Sequence, residues 1–185
     1  METIKSGNYY HIYNRGNNRQ DIFFENENYD YFLRLIKKHL KPVSEIFCYC
    51  LLPNHFHVLL KINDATVNPS QQFSNLFNAY TKAINKRYNR SGSLFQKPFK
   101  RIQIKDESYL KTLITYIHLN PEKHNIHDDF TNYKYSSYKS ITSKLDTHLN
   151  KNEAIGWFED IDNFIFAHTQ RKVLINNVLE ELTLE

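Results

Sequence analysis

Residues 46–62, IFCYCLLPNHFHVLLKI, set two apolar runs on either side of a two-residue break, Pro53-Asn54. Proline and asparagine between runs of aromatic and branched residues predict a hairpin, with strands at 46–52 and 55–62. That hairpin anchors an antiparallel sheet, and the neighbouring segments must be read around it. Upstream, NYYHIYN at 8–14 predicts a strand, RGNNRQ at 15–20 a loop, and 26–40 a helix with Tyr29, Phe32, Leu33, Ile36 and Leu40 at helical spacing. Downstream, Asn68 offers an N-cap and Pro69 a first helical position for a helix reaching about residue 90. Residues 99–105 alternate as a strand. Asp106 can cap a helix from 107 to 120 that Pro121 stops. The segments YKYSSYKS and LNKNEAIGWFEDIDNFIFAH read as mostly helical.

The order strand–helix–strand–strand–helix–strand–helix predicts an α+β protein. Its core is a ferredoxin-like βαββαβ antiparallel sheet with helices on one face, followed by an extra helix and a helical extension. We place the boundary of the main domain at 1–141 and the extension at 142–185. The chain has 185 residues, enough to bury a core without cross-links. Cys48 and Cys50 are too close along one strand for an ordinary bridge, so a reduced, cytoplasmic protein is expected. The first residues carry no basic start followed by an apolar block, and no apolar run has membrane-spanning length, so neither signal peptide nor membrane partner is expected.

Net charge is only +4, but it is unevenly placed. Residues 65–105 contain no Asp or Glu, yet hold Lys82, Lys86, Arg87, Arg90, Lys97, Lys100, Arg101 and Lys105, interleaved with aromatics. A solvated face is one explanation of such a run. A polyanion with stackable bases is the other. The segment after 145 is acidic instead.

On a strand, residues i and i+2 share a face, so His55 and His57 project together while Phe56 and Val58 point the opposite way. Two imidazoles side by side can converge on one cation. If Pro53-Asn54 is a two-residue turn, Cys48 and Cys50 share that face, and a tetrahedral zinc site in a binding module results. Otherwise the site has oxygen ligands and open positions, suited to Mg²⁺ or Mn²⁺ meeting a phosphate. In the helix after Asp106, Tyr109, Tyr116 and Asn120 lie on one flank of the apolar stripe. Alone, Tyr116 and Asn120 read as a half-buried tyrosine beside a capping residue. Beside a histidine pair lacking a third ligand, Asn120 can supply its carbonyl oxygen and Tyr116 a nucleophilic phenol.

Together HIYNRGNNRQDIFF (11–24), LLPNHFHVLL (51–60), GSLFQKPFKRIQI (92–104), YIHLNP (116–121) and YKYSSY (133–138) resemble the REP-associated tyrosine transposases. These belong to the histidine-hydrophobe-histidine (HUH) nuclease superfamily. The resemblance implies His55, His57 and Asn120 as ligands of Mg²⁺ or Mn²⁺, and Tyr116 as the nucleophile of a single-stranded DNA endonuclease and strand transferase. The substrate implied is hairpin DNA with a short flanking recognition sequence, and the protein would act as a monomer or homodimer. Arg15, Lys97, Lys100 and Arg101 are candidate DNA contacts. A DNA-hairpin binding regulatory protein without transposition activity is the alternative.

Overall fold

The computed structural model describes residues 3–64 and 67–170. Four strands, β1 (Tyr9–Arg15), β2 (Ser44–Leu52), β3 (His55–Ile62) and β4 (Lys100–Ile104), form one antiparallel sheet in the order β2-β3-β1-β4. The helices are α1 (Asn26–His39), α2 (Pro69–Arg87), α3 (Glu107–Lys123), α4 (Tyr138–Thr142), α5 (Lys151–Gly156) and α6 (Ile161–Thr169). This is the ferredoxin-like arrangement the element order predicts.

Alternation along β3 sorts its two faces. Phe56 points to the layer of α1 and α2, where its ring meets Phe32 at 5.0 Å and Phe77 at 5.9 Å. Each such fully buried aromatic contributes roughly 2–3 kcal/mol. Tyr80, buried in the same layer, satisfies its hydroxyl by donating to the Ile22 carbonyl at 2.7 Å. The opposite face carries His55 and His57, and α3 packs across it against β2, β3 and β4. Asn68 caps α2 through its side chain, with Pro69 in the first turn, and Asp106 caps α3 by accepting from Ser108 N at 2.9 Å.

The hairpin register pairs Leu52 with His55, so Pro53-Asn54 is the two-residue connection expected. A bulge between Ile46 and Cys48 displaces Phe47, whose ring packs on Tyr9 at 5.5 Å and on Trp157 at 4.9 Å. That contact seats α5 on the body of the fold.

Two elements differ from the sequence reading. The segment 133–137 is not helical. It lies along the free edge of β2, with Leu51 N donating to Tyr135 O and Ser137 N to Tyr49 O, each at 3.0 Å. It thereby covers an edge that would otherwise expose unpaired backbone. Helix α3 also does not stop at Pro121 but runs through it to Lys123. A proline in the last turn removes one intrahelical bond, and the tight packing of this helix end offsets that loss. The helical extension expected at 142–185 is described as far as Gln170, and residues 171–185 lie outside the described residues. Among the described residues no helix is long and apolar enough to cross a membrane.

Candidate active site

The register of β1 on β3 sets Tyr13 opposite His57 and Arg15 opposite His55. His55 and His57 are 4% and 1% exposed, and their rings stand perpendicular with centroids 5.2 Å apart. Each ring is oriented through Nδ1. His55 Nδ1 lies 2.6 Å from Asn54 Oδ1, an oxygen that can only accept, so Nδ1 carries the proton and Nε2 holds the lone pair. His57 Nδ1 lies 2.9 Å from His11 Nε2, and Tyr13 stacks on both rings. With His57 donating in that pair, its Nε2 also presents a lone pair. Orientation of a ring by a partner on its far nitrogen is the usual support of a metal-ligating histidine.

Helix α3 runs along these rings. Tyr116 meets His57 edge-on at 5.6 Å, and His124 meets His55 at 4.8 Å. Asn120 lies midway between them on the same stripe of the helix, four residues from each, so it faces the histidine pair. Its amide nitrogen donates to the Tyr116 carbonyl at 2.8 Å. Its Oδ1 is buried and has no hydrogen-bond partner among the described residues. An orphaned buried carbonyl oxygen costs about 1–3 kcal/mol, and on the stripe whose Tyr116 and His124 meet His57 and His55 it is a donor that a divalent cation would satisfy. Lys123 Nζ sits 4.8 Å above the Tyr116 ring, bringing positive charge to the phenol.

Cys50 does sit opposite His57, but Cys48 falls opposite Leu59. Both thiols are fully buried, and burial pushes their pKa values up. Among the described residues no group of three or more His, Cys, Asp or Glu side chains is placed to hold a metal ion. The zinc-module expectation therefore finds no support among the described residues.

The candidate DNA contacts divide. Arg15 and Lys100 line a cavity with Tyr13, Arg19 and His55. Lys97 lines a larger neighbouring cleft. Arg101 lies on the other face of β4 from Lys100, its guanidinium 5.6 Å from the Phe99 ring. Tyr109 is half-buried two turns before Tyr116. Sequence reasoning did not select His11, Tyr13, Lys123 or His124 for the site. The first two depend on the register of β1 against β3, which no local pattern reveals. The last two depend on α3 continuing past Pro121.

The fold and site thus combine paired histidines on a central strand with a tyrosine on a covering helix. The family model described as "Transposase IS200 like" matches residues 4–120, a span that includes His55, His57 and Tyr116 and ends at Asn120. The chain belongs to the IS200-like transposase family. It is 25% identical over 103 residues to a protein of Haemophilus influenzae named as a REP-associated tyrosine transposase. That match spans 51% of this chain and 58% of the relative, so the chain spans little more than half the relative's length. A solved structure of a REP-associated tyrosine transposase bound to a REP hairpin shares the fold, with a TM-score of 0.63 and 17% identity. It covers 80% of this chain and 87% of that one.

Proposed function

We propose that this chain is a metal-dependent, single-stranded DNA endonuclease and strand transferase that acts on hairpin DNA of the REP type. The observation that carries the reading is the stripe Tyr116–Asn120–His124 laid along His57 and His55, with the orphaned Asn120 Oδ1 at its centre. His55, His57 and Asn120 would hold Mg²⁺ or Mn²⁺. Such a cation, when bound, polarises a phosphodiester and offsets the charge that develops on it.

The remaining chemistry belongs to the protein. A tyrosine phenol, whose reference pKa is about 10, is a weak nucleophile until its proton is lost, and Tyr116 would supply it. Lys123 Nζ, 4.8 Å from the centre of its ring, places a cation beside the attacking group. The phenolate oxygen attacks phosphorus, the bond to the 3′ oxygen breaks, and that oxygen leaves as a hydroxyl after taking a proton. A 5′-phosphotyrosine remains. Attack by another 3′-hydroxyl reverses the step and joins strands. Arg15, Lys97, Lys100 and Arg101 would bind the DNA backbone. Residues 1–141 would form the nuclease domain, and 142–185 a C-terminal helical extension. The named hairpin ligand of the structural relative supports hairpin DNA as substrate.

The test is incubation with end-labelled hairpin DNA and Mn²⁺, followed by a denaturing gel. A covalent adduct should form, and EDTA, Tyr116→Phe or His57→Ala should each remove it. Hairpin binding without an adduct at any hairpin sequence would favour the regulatory binding protein instead.

A further inference from the structure

We propose that His124 is a further catalytic residue: its imidazole N–H donates to the 3′ oxygen as that oxygen leaves phosphorus. The inference rests on the cleavage reading above and gives it a group on the leaving side of the reaction.

The end of α3 places the ring. His124 is the C-cap of the helix, and its backbone N–H donates to the Asn120 carbonyl at 3.0 Å. Asn125 follows with a φ of 53°, a left-handed conformation that asparagine tolerates better than most residues. Asn125 N donates to Glu122 O at 3.0 Å and Ile126 N to Pro121 O at 2.8 Å, the paired bonds of a Schellman cap. The Glu122 side chain accepts from Phe130 N at 2.9 Å, which ties this turn to the segment beyond it. The last turn is therefore fixed, and with it the direction in which His124 leaves the helix. Its ring meets that of His55 at 4.8 Å, with the planes 73° apart. It is half-buried, so part of the ring remains open to a bound strand.

The order of side chains along α3 matches the order of atoms in the reaction. Displacement at phosphorus sets the attacking and leaving oxygens roughly in line, on opposite sides of the phosphorus. At 1.5 Å per residue, Tyr116 and His124 lie about 12 Å apart along the helix axis, with Asn120 about 6 Å from each. Tyr116 meets His57 and His124 meets His55, so the two flank the proposed metal ligands from opposite ends. A phosphate held at those ligands therefore has the phenol on one side and the His124 imidazole on the other. Lys123 does not reach that side, because its Nζ lies over the Tyr116 ring. Among the described residues no three His, Cys, Asp or Glu side chains are placed to hold a metal ion, so His55, His57 and His124 are not themselves a ligand set. That leaves the His124 ring to the substrate.

The step balances with His124 neutral throughout. The bond from Tyr116 Oη to phosphorus forms, and the bond from phosphorus to the 3′ oxygen breaks. The bonding pair goes to the 3′ oxygen, which accepts the His124 N–H hydrogen bond and takes its proton from water. In strand joining, the same N–H holds the incoming 3′-hydroxyl in line with phosphorus.

The experiment measures single-turnover adduct formation by the full chain on two hairpins that differ only at the scissile phosphate. One has the ordinary 3′ oxygen and the other a 3′-bridging sulfur. A thiol, with a reference pKa of about 8.5, leaves as the thiolate without help from a hydrogen bond. His124→Leu should slow the oxygen substrate about 100- to 1,000-fold and the sulfur substrate less than about threefold. His124→Gln, which keeps an N–H donor, should recover at least about tenfold of the loss. Hairpin affinity in EDTA, and Mn²⁺ affinity by electron paramagnetic resonance, should be unchanged in His124→Leu. Equal losses on both substrates, a weakened Mn²⁺ affinity or no loss on the oxygen substrate would each overturn the role. The two readings fail separately. A wild-type adduct with equal losses in His124→Leu sinks the His124 role alone, whereas a wild type that forms no adduct on either hairpin sinks the cleavage reading and this role with it.

Discussion

At the scale of single residues, Asn120 is the expected ligand whose polar atom the fold leaves unsatisfied. Its buried Oδ1 has no partner among the described residues, which a side chain kept only for packing would avoid. Asn120→Leu should therefore leave the metal-free thermal midpoint unchanged or raise it, while abolishing the stabilisation that Mn²⁺ gives the wild type. That stabilisation should reach about 2.7 kcal/mol at a hundredfold excess over the dissociation constant. Calorimetry with and without Mn²⁺ checks both halves, and a metal-free loss beyond about 2 kcal/mol would mark Asn120 as structural. Gly16 is constrained differently. A Cβ there would meet the Gln20 carbonyl oxygen at 1.9 Å, which is backbone and cannot swing aside. Gly16→Ala should cost about 1–3 kcal/mol by urea unfolding and disturb the loop that presents Arg15 and Arg19.

At the scale of elements, α6 is locked to the back of α3. His118 Nδ1 lies 2.9 Å from His168 Nε2, and His118 Nε2 lies 2.8 Å from Ser137 Oγ. His168 Nδ1 donates to the Phe164 carbonyl at 2.7 Å. With both rings neutral, that last bond leaves His168 Nε2 to accept from His118 Nδ1. Tyr138 packs edge-on against both rings. Burial pushes the His168 pKa down from 6.5 to about 4, and that of His118 down as well. Because the folded value lies below the unfolded one, the unfolded chain binds more protons between them. Stability is thus complete above about pH 7 and falls as pH drops through 6.5 toward 4, by up to about 1.4 kcal/mol per pH unit for each group. The urea midpoint should fall between pH 7 and pH 5, and His168→Phe should flatten that slope while lowering the midpoint at pH 7. A slope unchanged in His168→Phe would place the titrating group elsewhere.

The elements also show what was legible in the chain. Strand β3 was readable to its ends because alternation and the Pro53-Asn54 break bound it on one side and Asn63 on the other. The pairing of His55, His57, Tyr116 and Asn120 was readable too, since strand and helix periods alone put each pair on one face. The end of α3 was not, because a local rule about proline yields to tertiary packing. His11 and Tyr13 were hidden for a related reason: 46 positions separate His11 from His57, and only the sheet register joins them. The edge-covering segment 133–137 looked helical by composition, and the open edge of β2 decided otherwise.

At the scale of the whole molecule, the two faces of one sheet have separate tasks. One face is sealed by α1 and α2 into an aromatic core. The other, with α3 across it, holds the candidate site. Hairpin affinity should depend steeply on salt. Arg15→Ala and Lys100→Ala, which share the cavity with His55, should each reduce the slope of log K against log salt by about 0.7–0.9. Fluorescence anisotropy at several salt concentrations measures this, and unchanged slopes would remove these residues from the DNA path. The central claim is that the Tyr116 oxygen becomes bonded to DNA phosphorus. The most direct measurement is mass spectrometry of the adduct formed with hairpin DNA and Mn²⁺, after nuclease and trypsin digestion. The tryptic peptide 112–123, TLITYIHLNPEK, should carry the nucleotide phosphate on Tyr116. A nucleotide found on Tyr109 or on any other residue, with peptide 112–123 unmodified, would contradict it.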